Sequence, residues 1–188
     1  YTWFVTVSDG YQSTNCTCWF TTEDQEVIPP EISSILYLSS NPIDLQPGFG
    51  WENMSCVVTD NNMVNNVMIC IHKPDNTSTN ITMDRIIHTD TYYYNTTFSV
   101  YGNFSFQVWA NDTYNNMAFS TSSPFLIPPN WDINTDRVCS IQDFILTSNQ
   151  FGKNGSPGWV REDIDNNGSI AVLELILISN HYGAVWWM

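Results

Sequence analysis

The stretch DINTDRVCSIQDFILTSNQFG, Asp132–Gly152, returns 31 residues later without a gap as DIDNNGSIAVLELILISNHYG, Asp163–Gly183. Nine of the 21 positions are identical or nearly so: Asp132/Asp163, Ile133/Ile164, Ile141/Val172, Ile145/Ile176, Leu146/Leu177, Ser148/Ser179, Asn149/Asn180, Phe151/Tyr182 and Gly152/Gly183. Each copy opens on twelve residues dense in Asp and Asn, continues as about nine largely apolar residues and stops at Gly. That order predicts a loop followed by a short helix, twice. In the second copy, DIDNNGSIAVLE places oxygen-bearing side chains at positions 1, 3, 5 and 12 around a Gly at position 6. Hard oxygen ligands at that spacing, with a main-chain carbonyl at position 7, can wrap one Ca²⁺. Asp, Asn and Gly also crowd into ordinary turns, but a second string in register is not explained by turn chemistry.

Helices of this length fall below the roughly 12–15 residues needed for marginal stability alone. Their apolar residues, Phe144, Ile145, Leu146 and Leu175, Ile176, Leu177, Ile178, predict two facing stripes and a small shared core. Six carboxylates converge on the two loops and repel one another without a cation. The pair is therefore expected to lose much of its order when calcium is removed.

The tandem resembles dockerin domains, which pair two calcium loops with one helix each, and the likeness spans residues 131–183. It implies two EF-hand-type Ca²⁺ sites. The first takes Asp132, Asn134, Asp136 and Asp143, with Ser140 at position 9 and the carbonyl of Val138. The second takes Asp163, Asp165, Asn167 and Glu174, with the carbonyl of Ser169. Two departures stand out. Arg137 occupies position 6 of the first loop, where Gly would relieve a left-handed turn, at a cost of about 1 kcal/mol. Ala171 at position 9 of the second loop cannot hold a bridging water. Both sites are expected to fill at extracellular, roughly millimolar calcium. The family recognises a cohesin through positions 10 and 11, here Ile141 and Gln142, then Val172 and Leu173.

Upstream, two Pro-Pro marks, VIPP at Val27–Pro30 and LIPP at Leu126–Pro129, divide the chain into residues 1–28, 29–128 and 129–188. Alternating segments in the middle piece predict seven strands: Ile32–Ser39, Glu52–Thr59, Val67–His72, Thr79–Ile87, Tyr92–Val100, Asn103–Asn111 and Met117–Ile127. So many short strands in about 100 residues predict a β-sandwich. The fold class expected is thus mainly β, with a small helical calcium module. The run PPEISSI…NMSCVVTDNN…YYYNTTFSVYGNFSFQVWANDTYNN resembles the immunoglobulin-like and PKD-like modules of archaeal and bacterial surface proteins. Tyr1–Tyr11 can be laid over Phe104–Tyr114, so the first 26 residues read as the last two strands, Thr2–Ser8 and Thr14–Thr21, of a partial copy. The chain opens on Tyr1 with neither Met nor leader, as expected of a mature or trimmed chain.

Five basic residues against nineteen acidic ones, a net charge of −14, disfavour nucleic acid and anionic membrane surfaces as partners. No run approaches the roughly 20 apolar residues of a membrane span. Nine N-x-[ST] sequons, about twice the chance expectation, point to an exported, glycosylated surface protein. The candidate acceptors are Asn15, Asn53, Asn76, Asn80, Asn95, Asn103 and Asn111; Asn167 reads as a metal ligand instead. Of the five cysteines, Cys56 should point inward and Cys70 outward, which argues against a bridge between them. Cys16 and Cys18 share one strand face and read as buried thiols.

Catalysis finds little support. His72, His88 and His181 are scattered, and Asp84 and Asp90 read as strand-edge or turn charges. No GxSxG, HExxH or phosphate-binding Gly loop occurs. The reading is a non-catalytic, extracellular or cell-surface, calcium-binding structural or adhesive protein. Its N-terminal hairpin can donate strands to another subunit or surface-protein module and so build a filament or surface layer. The tail Trp186–Trp187–Met188 offers a second contact or packs on the chain's own sandwich. The alternative is a docking module that brings a larger surface protein or enzyme to a cohesin on a scaffold.

Overall fold

The computed structural model describes residues 1–22 and 25–186. The chain is mainly β, built from antiparallel sheets, with two short helices near its end. Strands β1 (Thr2–Ser8) and β2 (Ser13–Trp19) pair only with each other. Asp9 closes their turn, its Oδ1 accepting the N–H groups of Tyr11 at 2.9 Å and Gln12 at 2.7 Å. Neither face of this hairpin is covered: Phe4 is 74% exposed on one and Val7 67% on the other. Cys16 is exposed and Cys18 half-buried, their sulfurs 3.7 Å apart, so they are not the buried thiols expected. With no second sheet above β2, neither face has an inside.

The nine strands that follow are β3 (Glu31–Ser39), β4 (Glu52–Thr59), β5 (Val64–His72), β6 (Ser78–Thr82), β7 (Asp84–Arg85), β8 (Thr91–Thr96), β9 (Gly102–Asp112), β10 (Met117–Phe119) and β11 (Ser123–Ile127). One sheet runs β10–β9–β5–β6, with β11 also on β9, and the other β3–β4–β8–β7. Period-2 alternation sends Met54, Cys56 and Val58 of β4, Val67, Ile69 and Ile71 of β5, and Phe104, Phe106 and Val108 of β9 into one core between the sheets. Each such buried side chain contributes roughly 1.5–3 kcal/mol. Phe98 and Phe125 close the end of that core, with Phe125 stacked 5.2 Å from Phe104. Cys56 is inside and Cys70 is on the opposite face of its strand, 3.6 Å from His72 Nε2; both thiols are free.

Val67–His72 begins earlier, at Val64, and three of the seven expected strands are divided or cut short. Thr79–Ile87 divides at Met83, which is buried while its N–H completes the β5 ladder on Val67 O at 3.0 Å. Beyond that point the chain crosses over, so β6 belongs to one sheet and β7 to the other. Tyr92–Val100 ends at Thr96, because Thr97 Oγ1 turns to Gly50 O at 2.7 Å and Phe98 enters the core. Met117–Ile127 breaks at Ser120, whose Oγ takes the Val108 N–H at 2.9 Å in place of a backbone carbonyl.

The last segment carries α1 (Ile141–Gln150) and α2 (Val172–Ser179). Its core joins Trp131, Ile133, Cys139, Ile164, Ile178 and Trp186. Of the expected apolar stripes, Ile178 is buried, Phe144, Leu175 and Leu177 are half-buried, and Ile145, Leu146 and Ile176 are exposed. The inward rows are instead Asp143 with Thr147 and Glu174 with Ile178, one turn apart on each helix. Trp186 packs inward, edge-on to Tyr101 of the sandwich at 6.0 Å; Trp187 and Met188 lie outside the described residues. Arg161 ties this segment to the sandwich. Its guanidinium donates to Ile43 O at 2.8 Å, Pro129 O at 2.6 Å and Asp132 O at 2.9 Å.

Candidate metal centre

The two loops brace each other crosswise. The chain after α1 pairs with the second loop, through Gly152 N to Ile170 O (2.8 Å) and Ile170 N to Lys153 O (3.0 Å). After α2 it pairs with the first loop, through Gly183 N to Cys139 O (2.8 Å) and Cys139 N to Ala184 O (2.9 Å). Position 7 of each loop lies in this pairing, Val138 opposite Val185 and Ser169 opposite Asn154. Backbone handedness also matches. Thr135 and Asn166 at position 4 have φ of 59° and 57°, and Arg137 and Gly168 at position 6 have φ of 77° and 84°.

In the second loop, oxygens of Asp163, Asp165 and Glu174 lie within 4.8 Å of one another, a cluster that can hold a metal ion. Asp163 Oδ2 accepts the N–H groups of Gly158 and Gly168, both at 3.0 Å, and Glu174 Oε2 that of Ala171 at 2.6 Å. The companion oxygens, Asp163 Oδ1 and Glu174 Oε1, are buried with no hydrogen-bond partner. A buried carboxylate oxygen without a donor is costly, and a cation between these two would remove the cost. Burial raises the Glu174 pKa, with Asp165 adding to the rise. Asn167 sits exposed at the rim, its Nδ2 2.7 Å from Asp165 Oδ2 and its Oδ1 taking the Ser169 N–H at 2.8 Å.

The first loop holds the same residue types differently. Asp132 Oδ1 accepts from Asp136 N at 3.2 Å, and Oδ2 from Arg137 N at 2.9 Å and from the Trp186 indole at 2.7 Å. Asp143 accepts from Ile133 N at 2.8 Å and Ser140 N at 2.7 Å. Asp136, exposed, accepts from Val138 N at 2.9 Å and from the Asn134 amide at 2.8 Å. Every carboxylate oxygen here has a protein donor. Burial still raises the Asp132 pKa against the pull of Trp186. Among the described residues, the second loop alone forms a compact acidic triad.

Ser140 has a second task that the expectation missed. Its Oγ caps α1 by accepting the Gln142 N–H at 3.1 Å, while Asp143 reaches back to Ser140 N. The sequence signal was present, since Ser-x-x-Asp before an apolar run is a capping-box pattern. Arg161 had no such signal, and the tail reading that let Trp186 pack on the chain's own sandwich did not place its indole on Asp132.

Of the sequon asparagines, Asn15, Asn76, Asn80, Asn95 and Asn103 are exposed, and Asn53 is half-buried with Nδ2 2.6 Å from Asn95 Oδ1. Asn111 is buried opposite the irregularity between Val64 and Asn66 of β5, and its amide donates to Asn115 Oδ1 at 3.4 Å. No helix among the described residues is long and apolar enough to cross a membrane. Neither a protein-family model nor a curated protein matches this chain.

Proposed function

We propose that this is a non-catalytic, calcium-binding structural or adhesive protein of the cell exterior, in which an immunoglobulin-like sandwich carries a dockerin-like pair of EF-hand-type loops. The observation that carries the reading is the pair of unpartnered buried oxygens, Asp163 Oδ1 and Glu174 Oε1, beside Asp165. The second loop is the stronger Ca²⁺ site. The first accepts a cation only after some of the protein donors on Asp132 and Asp143 let go. Affinities in the range of extracellular modules, about 10⁻⁴–10⁻³ M, suit loops with these ligand sets. The sequon surplus supports an exported chain. The uncovered hairpin supports self-association by strand donation, because a lone two-stranded sheet is marginal in water.

Calorimetric titration of the chain with CaCl₂, followed by negative-stain electron microscopy with calcium and with EGTA, tests this. Heat of binding and regular filaments that fall apart in chelator are the expected results. Absence of binding heat together with an unchanged melting curve would remove the calcium reading; monodisperse particles in both conditions would remove the filament.

A second reading keeps one observation in its favour. Ile141, Val172 and Leu173, at the family's recognition positions, are 58%, 59% and 46% exposed, and Gln142 is exposed beside them. Apolar side chains left open there suit docking to a cohesin, and a pull-down against a panel of cohesins tests it.

A further inference from the structure

Asp44 lies in the connection between β3 and β4 of the sandwich, far in sequence from the acidic triad, and is 6% exposed. Among the described residues no Lys or Arg pairs with it. Amides satisfy it instead. Oδ1 accepts from Gln46 N at 2.7 Å and Asn130 Nδ2 at 3.0 Å, and Oδ2 from Asn166 Nδ2 at 3.0 Å. Asn166 is position 4 of the second loop, buried and left-handed, and its own N–H donates to Asp163 O at 3.1 Å. The same sandwich connection reaches the loop a second time. A Cβ on Gly158 would stand 2.7 Å from the Phe49 ring, and Gly158 N–H is one of the two donors to Asp163 Oδ2. Both contacts thus end on Asp163, whose other oxygen faces the site without a partner.

We propose that Asp44 is a positioning residue for the cation site of the second loop. By fixing Asn166 it holds the turn that sets Asp163 and Asp165 against Glu174. Left-handed backbone is tolerated by Asn but not preferred, so an anchored side chain selects it before the cation arrives. Groups that orient metal ligands in this way govern affinity without touching the ion. Because coupling is reciprocal, a cation in the loop also tightens the hold of the helical segment on the sandwich. This inference rests on the cation reading of that loop.

The test is calorimetric titration of the full chain with CaCl₂, for the wild type, Asp44→Ala, Asp44→Asn, Asn166→Gly and the double variant Asp44→Ala/Asn166→Gly. Asp44→Asn keeps the acceptor for Gln46 and Asn130 but opposes donor to donor at Asn166, so it perturbs the anchor with the least risk to folding. Either Asp44 variant is expected to weaken binding roughly tenfold. The double variant should lose no more than the weaker-binding single, since both act through one contact. Losses that add in the double variant would mean that Asp44 acts through charge or general stability, and the proposal falls. Wild-type affinity in both Asp44 variants overturns it while leaving the calcium reading intact. A wild type that takes up no calcium overturns both.

Discussion

Position 6 of the two loops asks for the same left-handed backbone from two different residues, Arg137 at φ 77° and Gly168 at φ 84°. A side chain there costs about 1–2 kcal/mol, part of which Gly returns through its greater freedom in the unfolded chain. Arg137→Gly is therefore expected to stabilise the helical segment by about 0.5–1 kcal/mol. Gly168→Ala should destabilise it by more, because its Cβ would lie 2.7 Å from Gly155 O. Urea unfolding of both variants in EGTA, followed by far-ultraviolet circular dichroism, checks the opposite signs. Glu52 carries a different strain. It is fully buried in the sandwich, neither carboxyl oxygen has a partner, and burial pushes its pKa up to about 7. The Phe98 N–H lies near enough to soften that rise without satisfying either oxygen. A carboxyl raised in the native state favours folding while protonated, so this contribution is whole below pH about 4.5 and is lost as pH climbs through about 7. Glu52→Gln should match wild type at pH 4 and exceed it by on the order of 3 kcal/mol at pH 8, read from urea midpoints. The need for Gly at position 6 could be read from spacing alone. The burial of Glu52 followed from the same parity that placed Met54 inward, yet a charged residue in a strand ordinarily signals the outer face.

Elements that rest on local chemistry were legible, and those that rest on sheet exchange were not. Both helices follow the repeat, each starting at position 10 of its loop rather than after position 12, because the apolar run and the terminal Gly are local signals. Thr79–Ile87 reads as one alternating strand because period 2 continues through Met83 unbroken, and nothing local says that the chain changes sheets there. The helix stripes failed for a related reason. An apolar run has no face until its neighbours are known, and in this segment the buried rows follow the carboxylates Asp143 and Glu174. The two helix starts differ in one testable respect. α1 has a Ser140 side-chain cap, whereas α2 begins at Ala171 with none. Ser140→Ala should lower the melting stability of this segment by about 1 kcal/mol, and Ala171→Ser should raise it by about half that or more. Thermal unfolding at 222 nm in EGTA separates capping from any part Ser140 plays near a cation.

Over the whole molecule, three bodies of unequal self-sufficiency share one chain. The sandwich has a continuous core of aromatic and branched side chains, whereas the helical segment has a smaller one. That smaller core surrounds carboxylates of both loops, which Arg161 offsets in part, in a chain of net charge −14. Chelation should therefore cost the helical segment far more than the sandwich. Two unfolding transitions are expected in EGTA, the first with loss of helical signal, against a single or closely merged one at millimolar calcium. Arg161 and the Asp44–Asn166 contact bound this prediction from the other side. They tie the helical segment to the sandwich even without a cation, so its residual structure in EGTA should depend on them, and Arg161→Ala should separate the two transitions further. The hairpin has no such tie to a core: β1 and β2 bury almost nothing, with Trp3, Phe4 and Val7 open to solvent. Under the strand-donation proposal it gains a further strand, from a second subunit or from chain continuous with it. Cross-linking separates these origins. With an added cysteine at Thr6, in a background where Cys16 and Cys18 are Ser, strand donation predicts calcium-dependent oligomers that cross-link from this position. An unpaired hairpin predicts the same monomer with and without cross-linker.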